Sequence, residues 1–354
     1  MVNPPTSRQA LTGIPAYRAG RPASAGSAKL SSNENPFPPL PGVEAAIVDA
    51  AGEVNRYPDF GSARLLKALS QRLGVDEVQI SVGTGSVAVL VQVMTAMVEA
   101  GDEVVMPWRS FEAYPIVIQL SGATQVRVPL TADHAHDLGA MAAAINDKTR
   151  VVLVCTPNNP TGSIVRRREL LEFIDAVPSD VLVVVDEAYF EFVRDADRTS
   201  ALDLAVSRDN VLVLRTFSKA FGLANLRVGY GVGPRAIVQE LRKTQLPFGV
   251  STVAEGAALA ALAGAAELQR RVNVLVRERD RVLRELVAHP IEVPDSQGNF
   301  VWLPLGTSAT EFADLCSEAG VVVRSFPGDG VRVTIGERAA NDLWLSVLGR
   351  YLQR

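Results

Sequence analysis

The sequence predicts an α/β fold, in which helices sandwich the mostly parallel sheet of a large domain and a smaller α+β domain follows. Three observations support this expectation. The chain has 354 residues, about twice the length of a typical domain. From residue 41 to 245, short runs of Val, Ile and Leu alternate with longer segments of helical periodicity, as in sheets buried on both faces. From about residue 246 onward that alternation stops.

The predicted N-terminal arm covers residues 1–40, which are rich in Pro, Gly and Ser and are expected to pack with the small domain. In the large domain, 41–245, buried strands are predicted for QISV, GDEVVMP, TRVVLVCTP, DVLVVVDEAY and NVLVLRTFS. A helix that begins at Ser86 is expected to end at Gly101, because glycine readily takes the left-handed conformation that closes a helix.

The predicted small domain, 246–354, begins with one long helical region from about residue 251 to 288. Its apolar positions share one helical face and are expected in the core: Leu268, Val272, Leu275, Val282 and Leu286. The strand-like run NFVWLPL comes next, followed by a helix up to Gly320, the runs VVVRS and VRVTIG, and a final helix.

Composition and charge exclude several classes of protein. A net charge of −4 provides no basic surface for nucleic acid. The longest apolar stretch, 86–100, is too short and too polar to span a bilayer, and the N-terminus lacks the apolar core of a signal peptide. Two distant cysteines and three histidines predict neither a disulfide framework nor a metal site. We therefore expect a cytoplasmic protein with no nucleic-acid partner, no membrane association and no metal.

Polar side chains follow three of the predicted strands. Asn159, Asp186 and Lys219 each lie just beyond the carboxyl end of a strand-like run. Ligands bind at that edge of open α/β sheets. Taken singly, each residue has an ordinary structural explanation, as a turn former, a helix cap or a surface lysine. Taken together, three unlike functional groups at one sheet edge predict an active site.

An anion site is predicted next to these residues. The run GTGS, 83–86, follows a strand and begins a helix, where backbone N–H groups bind anions. Thr216 and Ser218 flank the predicted active-site segment, and Arg227 follows eight residues after Lys219. These residues would supply two hydroxyls and a cation to a phosphate-sized target.

Several motifs resemble those of a known family. The segments TPNNPTG, VVDEAY and RTFSKAFGLANLRVGY resemble the fold-type I pyridoxal-phosphate aminotransferases, in the branch that contains histidinol-phosphate aminotransferase. Related patterns extend from LSSNENPF to VRVTIG. The segments PWRSFEAYP, QLPFGVS and GNFVWLPLG are more similar still to the actinobacterial aromatic (phenylalanine) aminotransferases of that branch.

The resemblance implies a role for each residue around the cofactor ring. Lys219 would hold pyridoxal 5′-phosphate as a Schiff base and then carry the proton that is transferred. Asp186 would keep the pyridine nitrogen protonated, which makes the ring an electron sink. Asn159 and Tyr189 would hydrogen-bond the ring's phenolic oxygen. Phe111 would stack on the ring face, although an ordinary core position explains it as well.

The resemblance also implies how the cofactor phosphate is bound. Five residues would form the cradle around it: Gly85, Ser86, Thr216, Ser218 and Arg227. Tyr57, in the run NRYPD, resembles a tyrosine that reaches the phosphate of the neighbouring subunit's cofactor. The implied active site therefore needs a homodimer. Val87 stands where histidinol-phosphate enzymes often have an acidic residue, which weakens the match to that specificity.

For the substrate, the resemblance implies that Arg332 grips the carboxylate through a two-pronged hydrogen bond. The alternative for Arg332 is an exposed strand arginine. Asn33 and Tyr17 would close over the substrate. Arg324 stands at the position that helps to bind the substrate phosphate in histidinol-phosphate enzymes.

The expected activity is transfer of the amino group of an aromatic L-amino acid (Phe, Tyr or Trp) to 2-oxoglutarate by a ping-pong mechanism. The alternative is histidinol-phosphate aminotransferase of histidine biosynthesis. A decarboxylase of the same fold is less favoured, because an arginine clamp at Arg332 would hold the carboxylate in the ring plane. A transcription regulator with an aminotransferase-like domain is disfavoured by the acidic charge and by a chain that starts directly at the arm.

Overall fold

The computed structural model describes residues 6–8, 11–12, 24, 26–197 and 200–353. Tyr17 lies outside the described residues. Within these ranges no helix combines the length and apolar character that a membrane crossing needs.

The helices and strands follow each other along the whole described chain. The helices are α1 (Val43–Ala51), α2 (Ala63–Leu73), α3 (Ser86–Met97), α4 (Ala113–Ser121), α5 (Leu138–Ala143), α6 (Arg167–Ala176), α7 (Leu202–Ser207), α8 (Arg235–Lys243), α9 (Thr252–Ala263), α10 (Ala265–Leu286), α11 (Ala309–Glu318) and α12 (Arg338–Tyr351). The strands are β1 (Ala28–Lys29), β2 (Ile80–Gly83), β3 (Glu103–Trp108), β4 (Thr124–Pro129), β5 (Thr149–Cys155), β6 (Leu182–Asp186), β7 (Val211–Thr216), β8 (Gly229–Val232), β9 (Phe300–Leu303), β10 (Val321–Val322), β11 (Arg324–Phe326) and β12 (Gly330–Thr334).

A seven-stranded sheet in the order β2-β8-β7-β6-β5-β3-β4 forms the centre of the molecule. All its strands are parallel except β8, which runs antiparallel to both of its neighbours. Along β6, Val184 packs in a core with α3 and α4, whereas Val183 and Val185 pack in a second core with α6 and α7. Helices therefore cover both faces, which is why its central strands are runs of valine and leucine. The predicted α/β fold with a mostly parallel sheet is confirmed.

A second sheet is antiparallel, in the order β11-β12-β9, and β1 pairs with β10 in a separate two-stranded ladder. The run VVVRS is therefore not one strand: Val321 and Val322 pair with β1, whereas Arg324 and Ser325 pair with β12. This split matters for the site, because β11 brings Arg324 opposite Arg332.

Two predicted helix boundaries are wrong. The helix that begins at Ser86 ends at Met97 rather than at Gly101, because Val98 turns extended and packs into the core. The long helical region after residue 251 is broken into α9 and α10 at Gly264, whose backbone leaves the helical conformation. The predicted apolar face of α10 is confirmed, since the five apolar residues expected in the core are all buried.

Candidate active site

A pocket opens at the carboxyl ends of β5, β6 and β7. Most of the residues predicted for the site line this one pocket: Ser86, Phe111, Asn159, Asp186, Tyr189, Thr216, Ser218, Lys219, Arg227, Arg324 and Arg332. The sheet accounts for the convergence, since parallel strands end at a common edge. Asp186 is the last residue of β6 itself, and not a residue beyond it as the sequence suggested.

Lys219 follows β7 by three residues, and its Nζ donates to the backbone oxygen of Ser32 at 3.1 Å. Burial, followed by the positive charges of Arg332 and Arg227, lowers the pKa of Lys219 to about 7. The carboxylates of Glu34 and Asp186 act in the opposite direction. A neutral amine is nucleophilic and basic, so Lys219 is suited to covalent and proton-transfer chemistry near neutral pH.

Asp186 is a buried carboxylate at the floor of the pocket, with 7% of its surface exposed. Its Oδ2 accepts a hydrogen bond from the hydroxyl of Tyr114 at 2.8 Å, and its Oδ1 accepts one from the backbone N–H of Ala188 at 3.1 Å. Burial raises the pKa of Asp186, and both hydrogen bonds oppose that effect. Burial also raises the pKa of Tyr114, which keeps its hydroxyl protonated as a donor. Sequence reasoning missed Tyr114.

Arg332 lies on β12 and is buried, with 7% exposed, so it is not an exposed strand arginine. Its Nη1 donates to Oδ1 of Asn159 at 2.5 Å and its Nη2 donates to the backbone oxygen of Ser31 at 2.7 Å. The guanidinium is thereby held in a fixed plane at the pocket wall, and it fixes which way the amide of Asn159 points.

Tyr189 forms another part of the wall. Its hydroxyl accepts a hydrogen bond from Nδ2 of Asn33 at 2.9 Å, and its ring meets Phe300 edge-on at 5.0 Å between centroids. Burial raises the pKa of Tyr189, so its hydroxyl stays protonated. Asn33 itself is fully buried and also hydrogen-bonds Thr334. The structure therefore places Asn33 behind Tyr189 rather than over the pocket.

The residues predicted to form the anion cradle come together at the start of α3. Gly85 has a φ of 90°, and a Cβ at that position would lie 2.5 Å from Nη2 of Arg227. A Cβ on Gly229 would collide with the backbone nitrogen of Ser86. Nη1 of Arg227 donates to the hydroxyl of Ser218 at 3.1 Å. Two glycines thus open a space for an anion between a guanidinium and a helix N-terminus.

Thr216 lines the same pocket, and its hydroxyl accepts a hydrogen bond from the backbone N–H of Ser218 at 3.1 Å. Phe111 lies across the pocket and meets the ring of Tyr114 edge-on at 5.5 Å. Arg324 reaches the same pocket and donates to Oε2 of Glu112 at 2.7 Å. Glu112 was not predicted as a site residue, since nothing in its local sequence distinguishes it from a surface glutamate.

Tyr57 lies away from this pocket. It is 83% exposed, and its ring stacks at 4.7 Å on that of Phe248, which also contacts Phe60 at 5.6 Å.

Comparison with known proteins identifies the family of this chain. The family model for aminotransferase class I and II matches residues 26–347. This chain belongs to that family. Among curated relatives, the aromatic amino acid aminotransferase of Streptomyces avermitilis is 53% identical over 98% of each chain. That of Streptomyces coelicolor is 55% identical over 97% of this chain and 96% of the relative.

Solved structures give the same family. The histidinol-phosphate aminotransferase from Sinorhizobium meliloti, in complex with pyridoxal-5′-phosphate, is similar with a TM-score of 0.85 and 30% identity, over 92% of this chain and 91% of that one. Aspartate aminotransferase from Thermus thermophilus with maleate has a TM-score of 0.79 at 24% identity, over 93% and 91%. The latter shows the shared fold alone. The family resemblance and the fold-type I architecture predicted from sequence are confirmed.

Proposed function

We propose that this aminotransferase transfers the amino group of an aromatic L-amino acid to 2-oxoglutarate, with pyridoxal 5′-phosphate as cofactor and ping-pong kinetics. The convergence of Lys219, Asp186 and Arg332 on one pocket carries the proposal. Curated relatives more than 50% identical over nearly the full chain are named aromatic amino acid aminotransferases, which supports the substrate class.

The residues present fit the cofactor. The buried carboxylate of Asp186 would pair with a protonated ring nitrogen, and the cradle of Ser86, Thr216, Ser218 and Arg227 would hold the phosphate. Oδ1 of Asn159 accepts a hydrogen bond from Arg332, so Nδ2 is the amide atom that would donate to the ring's phenolic oxygen. When bound, pyridoxal phosphate supplies an aldehyde for amine attachment and a ring that accepts electron density from the substrate α-carbon.

The chain's own residues would handle the proton and the substrate. Nζ of Lys219, whose pKa is lowered to about 7, would hold the cofactor aldehyde until the substrate amine replaces it there. The freed amine would then carry the proton released from the substrate α-carbon. Tyr189, kept protonated by burial, would donate to the phenolic oxygen alongside Asn159. Phe111 would cover the ring face. Arg332 would receive the substrate carboxylate in a two-pronged hydrogen bond.

The enzyme is proposed to act as a homodimer. The ring contacts of Tyr57 and Phe60 with Phe248 lie among exposed apolar residues that are near them in the chain, and an apolar surface of this kind favours a protein partner. The exposed residues are Val54 (75% exposed), Phe60 (51%), Leu246 (68%) and Phe248 (42%). Gly249, next to Phe248, approaches Thr84 of the phosphate-cradle turn. A second copy on this surface would therefore place its Tyr57 near the cradle. Both described cysteines are free and buried, which supports the proposed cytoplasmic location.

The proposed domains are an arm at 1–40, a large domain at 41–245 and a small domain at 246–354. The seven-stranded sheet falls wholly within the second range and the three-stranded sheet within the third, which supports this division. Helix α9, from the proposed small domain, packs on α1 and α2. The core is therefore shared across the proposed boundary.

Histidinol-phosphate aminotransferase is the second candidate, and Arg324 in the pocket favours it. The ion pair between Arg324 and Glu112 disfavours it, because a phosphate would have to displace the carboxylate of Glu112 before it could bind Arg324. Comparing kcat/KM for phenylalanine, tyrosine and histidinol phosphate, each with 2-oxoglutarate, separates the two. We expect the aromatic amino acids to exceed histidinol phosphate by about tenfold or more, the scale that pocket contacts supply. A preference for histidinol phosphate would select the second candidate.

A further inference from the structure

Glu112 and Arg324 form an ion pair across the mouth of the pocket. Glu112 directly precedes α4, next to the seven-stranded sheet, and Arg324 lies on β11 of the three-stranded sheet. Nη2 of Arg324 and Oε2 of Glu112 are 2.7 Å apart, with the side chains 15% and 31% exposed. Glu112 makes no side-chain cap to α4. Its carboxylate is therefore not needed by its own helix and can turn toward solvent.

Arg324 and Arg332 present two guanidinium groups side by side. They are directly paired residues on the antiparallel strands β11 and β12. Side chains paired in this way lie on one face of the sheet, with their Cβ atoms about 5 Å apart. Both guanidinium carbons also lie within 6 Å of the centre of the Phe326 ring, at 5.6 Å and 5.8 Å. The pocket thus offers two adjacent cations above an aromatic ring, and one of them carries a carboxylate counter-ion from the chain itself.

The two substrates of the proposed reaction differ in the group that would lie near Arg324. An aromatic side chain is uncharged and would lie against the rings of Phe111 and Phe326, so a neutralised Arg324 suits it. A dicarboxylic oxo acid brings a second carboxylate that needs a cation once it is removed from water. One pocket that accepts both must make the charge of Arg324 available for one substrate only.

We propose, on the basis of the proposed function, that Glu112 is a specificity-determining residue. Its carboxylate competes for Arg324 with the distal carboxylate of a dicarboxylic oxo acid. With an aromatic amino acid bound, the ion pair stays closed. When a dicarboxylate binds through its first carboxylate at Arg332, its second carboxylate displaces Glu112 from Arg324. The carboxylate of Glu112 therefore lowers the affinity for dicarboxylates and leaves the affinity for aromatic substrates nearly unchanged.

Unreactive ligands test this without turnover. The holoenzyme is titrated with glutarate, which has two carboxylates, and with 3-phenylpropionate, which has one carboxylate and a phenyl ring, by calorimetry. In Glu112→Gln, we expect glutarate to bind more tightly on the order of tenfold, the scale of coupling between contacting charges. The affinity for 3-phenylpropionate should change by about threefold at most. Glu240→Gln, which breaks the exposed pair with Lys243 on α8, is the matched control.

The Arg324→Gln background completes the test. Arg324→Gln should lower the affinity for glutarate. Adding Glu112→Gln to this variant should no longer raise that affinity. Unchanged glutarate affinity in Glu112→Gln, or equal tightening in the Arg324→Gln background, would overturn the proposal. Turnover of phenylalanine with 2-oxoglutarate by the wild-type enzyme is measured separately. Its absence would refute the proposed function, whereas the glutarate titrations would still decide the role of Glu112.

Discussion

Tyr114 donates its hydroxyl hydrogen to Oδ2 of Asp186 across 2.8 Å, below the floor of the pocket. The two residues are 72 positions apart in the chain, and both are buried. This hydrogen bond stabilises the charged form of a carboxylate whose pKa burial raises. Tyr114 therefore helps to keep Asp186 ionised for a cationic partner.

Removing the Tyr114 hydroxyl should weaken the binding of the cofactor. In Tyr114→Phe, Asp186 loses a hydrogen bond to its charged form, and we expect the affinity for pyridoxal phosphate to fall on the order of tenfold. Equilibrium titration of the apo-protein measures this. Tyr351→Phe, which changes a more exposed tyrosine next to Glu311, is the matched control and should bind as the wild type does. Wild-type affinity in Tyr114→Phe would refute the role.

The lowered pKa of Lys219 predicts a pH dependence. Below pH 7 the amine is protonated and cannot attack an aldehyde. The rate of cofactor attachment to the apo-protein should therefore rise about tenfold per pH unit up to about pH 7 and then level off. Arg332→Met removes a positive charge that lowers this pKa, so the break should move to higher pH. Stopped-flow absorbance measures the rates, with Lys219→Ala as the blank. An unmoved break in Arg332→Met would contradict the electrostatic cause.

The parallel strands and the residues at their ends could be predicted from sequence. Valine-rich runs mark strands covered on both faces, and the geometry of such sheets brings Asp186 and Lys219 to one edge. The antiparallel direction of β8 was not predicted. The segment 217–228 before it holds only a short turn of helix, at 224–226, which is too little for the crossover that a parallel strand needs.

Contacts between distant segments were beyond the sequence patterns. Glu112 meets Arg324 across 212 residues, and their pairing depends on how the two sheets face each other. Asn33 is a second example. Its motif suggested a residue over the substrate, whereas in the fold it is buried and hydrogen-bonds the hydroxyl of Tyr189. Periodicity predicts which face of a helix or strand is buried, but it does not identify the distant residues that contact that face.

Two of the glycines with a positive φ, Gly85 and Gly101, allow a controlled test of the proposed anion cradle. In Gly85→Ala, the new Cβ would collide with Arg227, and we expect the affinity for pyridoxal phosphate to fall more than about tenfold. Gly101→Ala carries a similar backbone strain, with φ of 102° against 90°, but its Cβ would meet open space. Titration should show wild-type cofactor affinity for Gly101→Ala. Equal losses in both variants would attribute the effect to backbone strain instead.

A charge in the proposed dimer surface should separate the subunits. Leu246 is 68% exposed and stands two residues before Phe248, whose ring contacts Tyr57. In the proposed dimer, Leu246→Asp would bury a carboxylate in an apolar interface. We expect light scattering to show a monomer with weakened cofactor affinity. Val287→Asp is the matched control, because Val287 is 84% exposed at the end of α10, and it should remain dimeric. A dimeric Leu246→Asp would place the interface elsewhere.

The proposed chemistry of the whole site depends on Lys219. Borohydride reduction of the holoenzyme fixes the cofactor to its lysine, and peptide mass mapping then identifies that residue. We expect the cofactor mass on the peptide that contains Lys219, and its loss together with turnover in Lys219→Ala. Cofactor mass on another lysine, or normal turnover by Lys219→Ala, would contradict the account.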